Sequence, residues 1–163
     1  NTDLQQVWLV VSPQNPFKPA AGLLNEYHRL HLVQTAIEGI GALKVSNIEF
    51  HLPKPSYTID TLTYLKEKFP QHEFAVILGS DGLLILHKWK NAEVLMADFD
   101  FYVYPRPGFP VPAALSARFH TVDAPMLDIS ATAIREMIRN GKDIRFLVPD
   151  AVKEEIEKNG YYR

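Results

Sequence analysis

The apolar residues of this sequence form short, nearly continuous runs instead of alternating with polar residues. Such runs occupy residues 6–11, 74–78 and 99–104, and each is followed by a serine, glycine or proline that favours a turn. A strand inside a parallel sheet is buried on both faces and therefore lacks alternation. The runs predict buried strands in a mainly parallel sheet.

Between these runs, apolar residues recur at the three- and four-residue spacing of helices. We expect helices from residue 25 to about 39 and over 59–69, 83–86, 92–96, 132–139 and 151–158, and further strands at 43–50 and 119–122. In the first helix, Tyr27, Leu30, Ala36 and Ile37 are expected to face inward. The alternation of strands and helices predicts a three-layer α/β fold, in a single domain that spans residues 1–163.

The composition narrows the classes of function. The 163 residues carry a formal net charge of −2, which gives no basis for a nucleic-acid or membrane-surface partner. There are no cysteines, which suits a cytoplasmic protein and excludes disulfides and thiolate chemistry. His28 and His31 share a helix face without a third ligand, so no metal site is predicted.

Ligands of parallel α/β sheets bind beyond the carboxyl ends of the strands and at nearby helix starts. Ser130 opens a predicted helix, and Thr132 and Arg135 share one face of it. Unpaired N–H groups, hydroxyls and a guanidinium at a helix start can hold a polyphosphate. A capped helix with a solvated arginine is the alternative, which these residue types alone favour.

Two further loops follow predicted strands. Lys18 lies in a proline-rich segment that restricts its conformations and suits contact with a phosphate, although a rigid surface loop explains the prolines equally well. Gly79 would let a ligand approach the backbone, and Asp81 would accept hydrogen bonds from a ribose or an amine. A turn in which Asp81 caps the next helix is the alternative.

The remaining candidate for a ligand site combines an aromatic ring with a helix start. Trp89, if exposed, could stack on a flat heterocycle, although a lone tryptophan more often belongs to the core. The helix that begins near Thr58 could hold a carboxylate with its N–H groups, unless Ser56 or Thr58 caps it.

Taken in order, these segments resemble the bacterial nicotinate mononucleotide adenylyltransferases, within the nucleotidyltransferase superfamily. The matching stretches cover essentially the whole chain: Ser-Pro-Gln-Asn-Pro-Phe-Lys at 12–18, Pro-Ser-Tyr-Thr-Ile-Asp-Thr-Leu at 55–62, Ile-Leu-Gly-Ser-Asp at 77–81, His-Lys-Trp at 87–89, Tyr-Pro-Arg-Pro-Gly at 104–108, Ile-Ser-Ala-Thr-Ala-Ile-Arg at 129–135, and Ile-Arg-Phe-Leu-Val-Pro at 144–149 through to Gly-Tyr-Tyr-Arg at 160–163. The Ile-Ser-x-Thr-x-x-Arg signature is shared with wider relatives, whereas Ser-Tyr-Thr and Lys-Trp point to the nicotinate family.

The resemblance implies a Rossmann-like fold and transfer of the adenylyl group of ATP, with Mg²⁺, to nicotinate mononucleotide, giving deamido-NAD and pyrophosphate in NAD biosynthesis. The residues that it implies for ATP are Gly79, Asp81, Arg106, Ile129, Ser130, Thr132 and Arg135. It also implies that Trp89 stacks on the nicotinate ring and that Lys18 contacts phosphate. The backbone near Thr58, Ile59 and Lys90 would hold the nicotinate carboxylate.

The sequence departs from the family at its beginning. The family opens with a strand and a Gly-x-Phe-x-Pro-x-His-x-Gly-His loop, and this sequence starts at Asn1 without them. We therefore assign no catalytic residue and expect the chain to be a fragment, or a protein whose first strand is not represented. By itself the chain is expected to be inactive, and dinucleotide synthesis by it would contradict this.

Two alternatives stay open. A related enzyme could adenylylate another phosphate, such as nicotinamide mononucleotide or phosphopantetheine. A non-catalytic nucleotide-binding module could keep the fold without the chemistry. The sequence leaves open whether the chain forms a homo-oligomer.

Overall fold

The computed structural model describes residues 2–17, 22–111 and 119–163. The elements in chain order are β1 Val7–Val10, α1 Glu26–Ala36, β2 Leu43–Ser46, α2 Thr58–Lys68, β3 Ala75–Gly79, α3 Ser80–Leu83, α4 Ala92–Asp98, β4 Asp100–Tyr104, β5 Phe119–Thr121, α5 Ala131–Arg139 and α6 Asp150–Asn159. Two 3₁₀ helices, Ile48–His51 and Leu86–Lys88, lie between them. Every strand pair among the described residues is parallel, as expected from the apolar runs.

The chain divides into two compact units. Unit 1 comprises Asn1–Asp3 and Tyr57–Asp128, and unit 2 comprises Leu4–Ser56 and Ile129–Arg163. Among the helices of the described residues, none is long and apolar enough to cross a bilayer.

Unit 1 is built on a three-stranded sheet with the order β3-β4-β5. Its core centres on Phe101 and Val103 of β4, which are fully buried together with Leu95 of α4. Ile59 and Leu62 place the apolar face of α2 against the same cluster. Because the carboxyl ends of parallel strands meet at one edge, the residues that follow β3 and β4 lie side by side.

Unit 2 pairs β1 with β2, with Val7 opposite Leu43. Its core is a cluster of Leu32, Ile144, Val152 and Ile156, which joins α1 and α6. Three apolar residues of α5 pack against this cluster, namely Ile134, Met137 and Ile138. The packing fixes the orientation of α5 within the unit.

Three expectations for local structure are wrong. The helix expected over 83–86 is instead α3 at Ser80–Leu83, which a 3₁₀ helix follows at Leu86–Lys88. The second strand ends at Ser46 instead of residue 50, because a 3₁₀ turn at Ile48–His51 buries Ile48 there. Tyr27 does not face inward but is 65% exposed, with its ring edge-on to Phe50 at 5.2 Å. Leu32 is the buried residue of α1, and at 3.6 residues per turn Tyr27 lies about 140° away from it around the helix.

The apolar runs also overstate the burial of two strands. Leu9 in β1 is 36% exposed and Ile77 in β3 is 44% exposed, so one face of each strand is incompletely covered. An apolar run predicts burial on both faces, and the structure contradicts that prediction at these two positions.

Candidate active site

The predicted residues at the ends of β3 and β4 come together in unit 1. Gly79 is the last residue of β3, and Asp81 lies in the first turn of α3. Arg106 Nε lies 3.7 Å from Asp81 Oδ1, and Arg106 Nη1 lies 3.4 Å from the Tyr104 hydroxyl. Both charged side chains are partly exposed and can reach a ligand. Asp81 does not cap α3, because Gly79 is the N-cap residue and no side chain caps that helix.

Gly79 allows side chains to approach the backbone more closely than the sequence predicts. A Cβ atom at this position would lie 2.5 Å from Asp81 Oδ1 and 2.7 Å from Arg106 Cδ. The space that the missing side chain leaves is therefore filled by two other predicted site residues. The glycine allows an acidic and a basic side chain to meet directly beside the backbone.

Ser80 is a positioning residue that the sequence analysis missed. It is 2% exposed. Its hydroxyl donates to the Phe109 carbonyl at 2.6 Å and accepts from the Arg106 N–H at 2.9 Å. These bonds attach the turn at residues 106–109 to the end of β3 and set the position of Arg106. The feature of the sequence that could have identified Ser80 is its position, as a small polar residue directly after the most apolar strand.

The start of α5 in unit 2 has the predicted form. Ser130 is the N-cap residue, and its Oγ accepts from the Ala133 N–H at 3.1 Å. Ile129 and Thr132 are exposed at the same helix end. The first turn of a helix has N–H groups without intrahelical acceptors, so this end keeps donors for an anion beside Ser130.

The structure does not fit the alternative interpretation of α5, in which Arg135 is a fully solvated side chain. It is half-buried, and its guanidinium lies 5.9 Å from the centroid of the Tyr162 ring. Burial raises the pKa of Tyr162, although the charges of Arg135 and Arg29 lower it, so the phenol stays neutral. Tyr162 has a φ of 66°, an uncommon conformation for a bulky residue. The sequence analysis missed Tyr162 as the partner that orients Arg135.

The start of α2 in unit 1 lacks a side-chain cap. Tyr57 is the N-cap residue, and no side chain accepts from the first N–H groups of the helix. This excludes capping by Ser56 or Thr58. Thr58 is half-buried and Ile59 is 7% exposed, so the backbone donors here are close to the core of the unit.

Trp89 is neither fully exposed nor fully buried. The ring packs against the cluster that contains Ile59 and Leu86. Its Nε1 is buried and has no hydrogen-bond partner among the described residues. Trp89 therefore lies between the two alternatives that the sequence left open, because this packing leaves only part of the ring accessible. That accessible part keeps the ring available as a stacking surface.

Lys90 is held by neighbours in the same unit. Its Nζ lies 2.9 and 2.8 Å from the two carboxylate oxygens of Asp60, and 4.9 Å from the centroid of the Tyr57 ring. The ion pair offsets the charge of Lys90 and ties the residue after Trp89 to the first turn of α2.

Arg29 anchors the loop after β1, a role that the sequence analysis missed. Its guanidinium donates to the carbonyls of Ser12, Pro13 and Leu24 at 2.7, 3.2 and 2.8 Å. The Ser56 N–H donates to the Gln14 carbonyl at 2.9 Å. Both ends of the loop that carries Lys18 are therefore fixed, whereas Lys18 itself lies outside the described residues.

Comparisons with known proteins identify the family of the chain. Residues 1–137 match the cytidylyltransferase-like family. The chain is 47% identical to a probable nicotinate-nucleotide adenylyltransferase from Flavobacterium johnsoniae, over 99% of this chain and 85% of that protein. The chain belongs to the nicotinate-nucleotide adenylyltransferase family. The motif-based prediction of the family is confirmed.

Other family members match over similar lengths. Identity is 47% with the probable enzyme of Cytophaga hutchinsonii, over 99% of this chain and 84% of that protein. With the one from Bacillus licheniformis, identity is 33% over 98% of this chain and 84% of that protein.

The fold agrees with the family. The structure of Plasmodium falciparum nicotinic acid mononucleotide adenylyltransferase complexed with NaAD superposes with a TM-score of 0.81 at 21% identity, covering 97% of this chain and 82% of that chain. A putative nicotinate-nucleotide adenylyltransferase from Vibrio parahaemolyticus gives a TM-score of 0.72 at 21% identity, covering 98% and 79%. The predicted Rossmann-like nucleotidyltransferase fold is confirmed.

Proposed function

We propose that this chain transfers the adenylyl group of ATP to nicotinate mononucleotide, forming deamido-NAD and pyrophosphate in NAD biosynthesis. The observation that carries the choice of acceptor is the uncapped start of α2 beside the partly accessible ring of Trp89. A flat apolar surface next to free backbone donors matches an aromatic ring that bears a carboxylate.

The donors at this site favour the acid over the amide. A carboxylate accepts hydrogen bonds with both oxygens, whereas an amide group turns an NH₂ donor toward part of the site. The N–H groups at Thr58 and Ile59 would then face a donor instead of an acceptor. The Lys90 ammonium is already paired with Asp60, so the backbone provides most of the selection.

In the proposed reaction, a phosphate oxygen of the mononucleotide attacks the α-phosphorus of ATP and pyrophosphate departs. Gly79, Asp81 and Arg106 would contact the adenosine part and a phosphate. Ile129, Ser130, Thr132 and Arg135 would bind the remaining phosphates, and Lys18 would contact phosphate from its own loop. The contribution of these residues is positioning and charge neutralisation of the transferring group.

Mg²⁺ would enter with ATP. In the part of the chain that the structure describes, no three His, Cys, Asp or Glu side chains form a group able to hold a metal ion. Mg²⁺ keeps several waters and binds readily to nucleotide phosphates, so a dedicated protein cage is not required. We further propose that residues 1–163 act as one nucleotidyltransferase domain, in the cytoplasm.

The choice of acceptor is tested by calorimetric titration of the chain with nicotinate mononucleotide and with nicotinamide mononucleotide. We expect the acid to bind more tightly by about 1–3 kcal/mol, the cost of an unsatisfied polar group. Dinucleotide formation from ATP is followed with both compounds. Equal affinity or an amide preference would contradict nicotinate mononucleotide as the acceptor, whereas binding of both substrates without turnover agrees with the inactivity expected of this chain by itself.

A further inference from the structure

A cavity of about 370 Å³ lies in unit 2, beside the C-terminal end of α5 and away from its Ser130 end. Its volume falls at the small end of the range of ligand pockets. The apolar part of its wall is formed by Ile138, Ile144 and Ile156. Ile144 and Ile156 are only 3% and 5% exposed, so this wall is the surface of the packed core and is rigid.

The remaining wall carries an excess of positive charge. Arg139, Lys142 and Arg163 line the cavity, with Glu157 as the acidic residue among the lining side chains. Glu157 is already bound by Lys153, at 2.9 Å. Within the described ranges of the chain, none of the three cations has a carboxylate partner. Arg139 Nε donates to the Arg135 carbonyl at 3.4 Å, and the other donors of its guanidinium stay able to bind an anion.

The backbone at the end of α5 holds two of these cations in place. Gly141 has a φ of 65°, and its N–H donates to the Ile138 carbonyl at 3.0 Å. The Lys142 N–H donates to the Met137 carbonyl at 2.9 Å. This turn satisfies the carbonyls of Met137 and Ile138. It also brings Lys142 to the same cavity as Arg139.

We propose that this cavity is a second ligand site, which takes a small organic phosphate that carries an apolar group. Three cations, beside a carboxylate whose charge Lys153 offsets, give the cavity an excess of positive charge that suits a phosphate dianion. Ile138, with the small accessible parts of Ile144 and Ile156, offers an apolar contact to the apolar part of the ligand. None of these residues belongs to the proposed substrate sites.

The proposal is tested by titrating the ¹⁵N-labelled chain with phenyl phosphate and recording amide shifts. We expect saturable shifts at Gly141 and Lys142, with weaker binding of inorganic phosphate, which lacks the ring, and of benzyl alcohol, which lacks the charge. Lys142→Ala and Arg139→Ala are each expected to lower the affinity for phenyl phosphate about tenfold, because each removes a charge-assisted contact.

Lys158→Ala is the matched control. It removes the same charge from α6 at a residue that is 76% exposed and does not line the cavity, so phenyl phosphate affinity should not change. An equal loss with Lys158→Ala, or the absence of saturation, would overturn the proposal. Shifts confined to residues 131–133 that Arg135→Ala abolishes would overturn it too, because the ligand would then belong to the helix start at Ser130.

Discussion

Gly79, Ser80 and Asp81 show how three consecutive residues contribute differently to one region. Gly79 leaves room, buried Ser80 holds the backbone of Arg106, and Asp81 faces the Arg106 guanidinium. The sequence pointed to Gly79 and Asp81 by their types. It did not reveal Ser80, whose importance depends on a carbonyl 29 residues away.

Gly79→Ala is expected to destabilise unit 1 by about 1–3 kcal/mol, the usual cost of overpacking. The new methyl group would displace Asp81 and Arg106, so ATP affinity should fall as well. Urea unfolding and ATP titration measure the two effects. Gly41→Ala, where nothing lies within 4 Å of the added Cβ, is the matched control. Unchanged stability and ATP affinity in Gly79→Ala would refute the close contact.

Trp89→Ala is expected to weaken nicotinate mononucleotide binding by roughly 1–3 kcal/mol, the value of stacking one base on an aromatic ring. ATP affinity should change little, and calorimetry with each ligand measures both. Trp89→Phe keeps a flat ring and loses no hydrogen bond of Nε1, because that atom has no partner among the described residues. Its affinity should fall between those of the wild type and Trp89→Ala.

Trp8→Phe is the control for these variants, because Trp8 lies on β1, outside the proposed sites. It should leave both affinities unchanged. If Trp89→Ala weakens both ligands equally, or unfolds the protein, then Trp89 is a core residue and not a stacking surface.

At the scale of elements, the predicted site residues lie at two helix starts and in one anchored loop. The starts of α2 and α5 differ in one respect. Ser130 caps α5, whereas no side chain caps α2. Both ends retain N–H groups without intrahelical acceptors. The uncapped start of α2 therefore offers more N–H donors than the start of α5. This suits a mononucleotide whose carboxylate is bound mainly by backbone N–H groups.

Arg29→Lys is expected to loosen the loop after β1, because an ammonium cannot bridge carbonyls on both sides of the loop as the planar guanidinium does. Each lost bond to a charged donor is worth about 1.5–3 kcal/mol. The Ser56 amide, which donates to Gln14, should exchange its hydrogen faster. Mononucleotide affinity should fall if Lys18 contacts phosphate.

Arg145→Lys is the matched control for this change, since Arg145 is an exposed residue of the same unit that pairs with Asp143. It should alter neither the exchange of the Ser56 amide nor mononucleotide affinity. Slow exchange at Ser56 in Arg29→Lys would show that the loop does not depend on Arg29.

At the scale of the whole molecule, the stability of the fold should depend on pH through Tyr102. A hydrogen bond of 2.5 Å to the Asp3 carboxylate raises the pKa of Tyr102 to about 12, and the same bond holds the pKa of Asp3 below its usual value. A tyrosine whose pKa is raised on folding stabilises the folded state. This stabilisation is fully present at pH values below the pKa of the unfolded state, which is about 10. This contribution is lost as the pH rises from 10 through 12.

Asp3→Ala should therefore return the titration of Tyr102 toward an ordinary tyrosine, and should reduce the loss of stability between pH 10 and 12. Tyrosinate absorbance of the wild type, Asp3→Ala and Tyr102→Phe identifies the residue that titrates. Asp98→Ala is the control, since Asp98 is an exposed carboxylate at the end of α4. An unchanged Tyr102 titration in Asp3→Ala would contradict the assignment.

The sequence alone determined the local features of this protein. Strand runs, helix spacing and the Ser130 cap depend on residues that are close together in the sequence, so their pattern can be recognised without coordinates. The order of the motifs was sufficient to predict the family, which the comparisons confirm, and with it the fold. The roles assigned to individual site residues stay predictions.

Only the tertiary structure decided which side chains hold those local features in place. Arg29 reaches Ser12 across 17 residues, and Tyr102 reaches Asp3 across 99. Trp89 is half-buried, and Tyr27 is exposed, because of what packs beside them. Burial and long-range hydrogen bonds depend on which elements become neighbours, and residue type and spacing do not specify this.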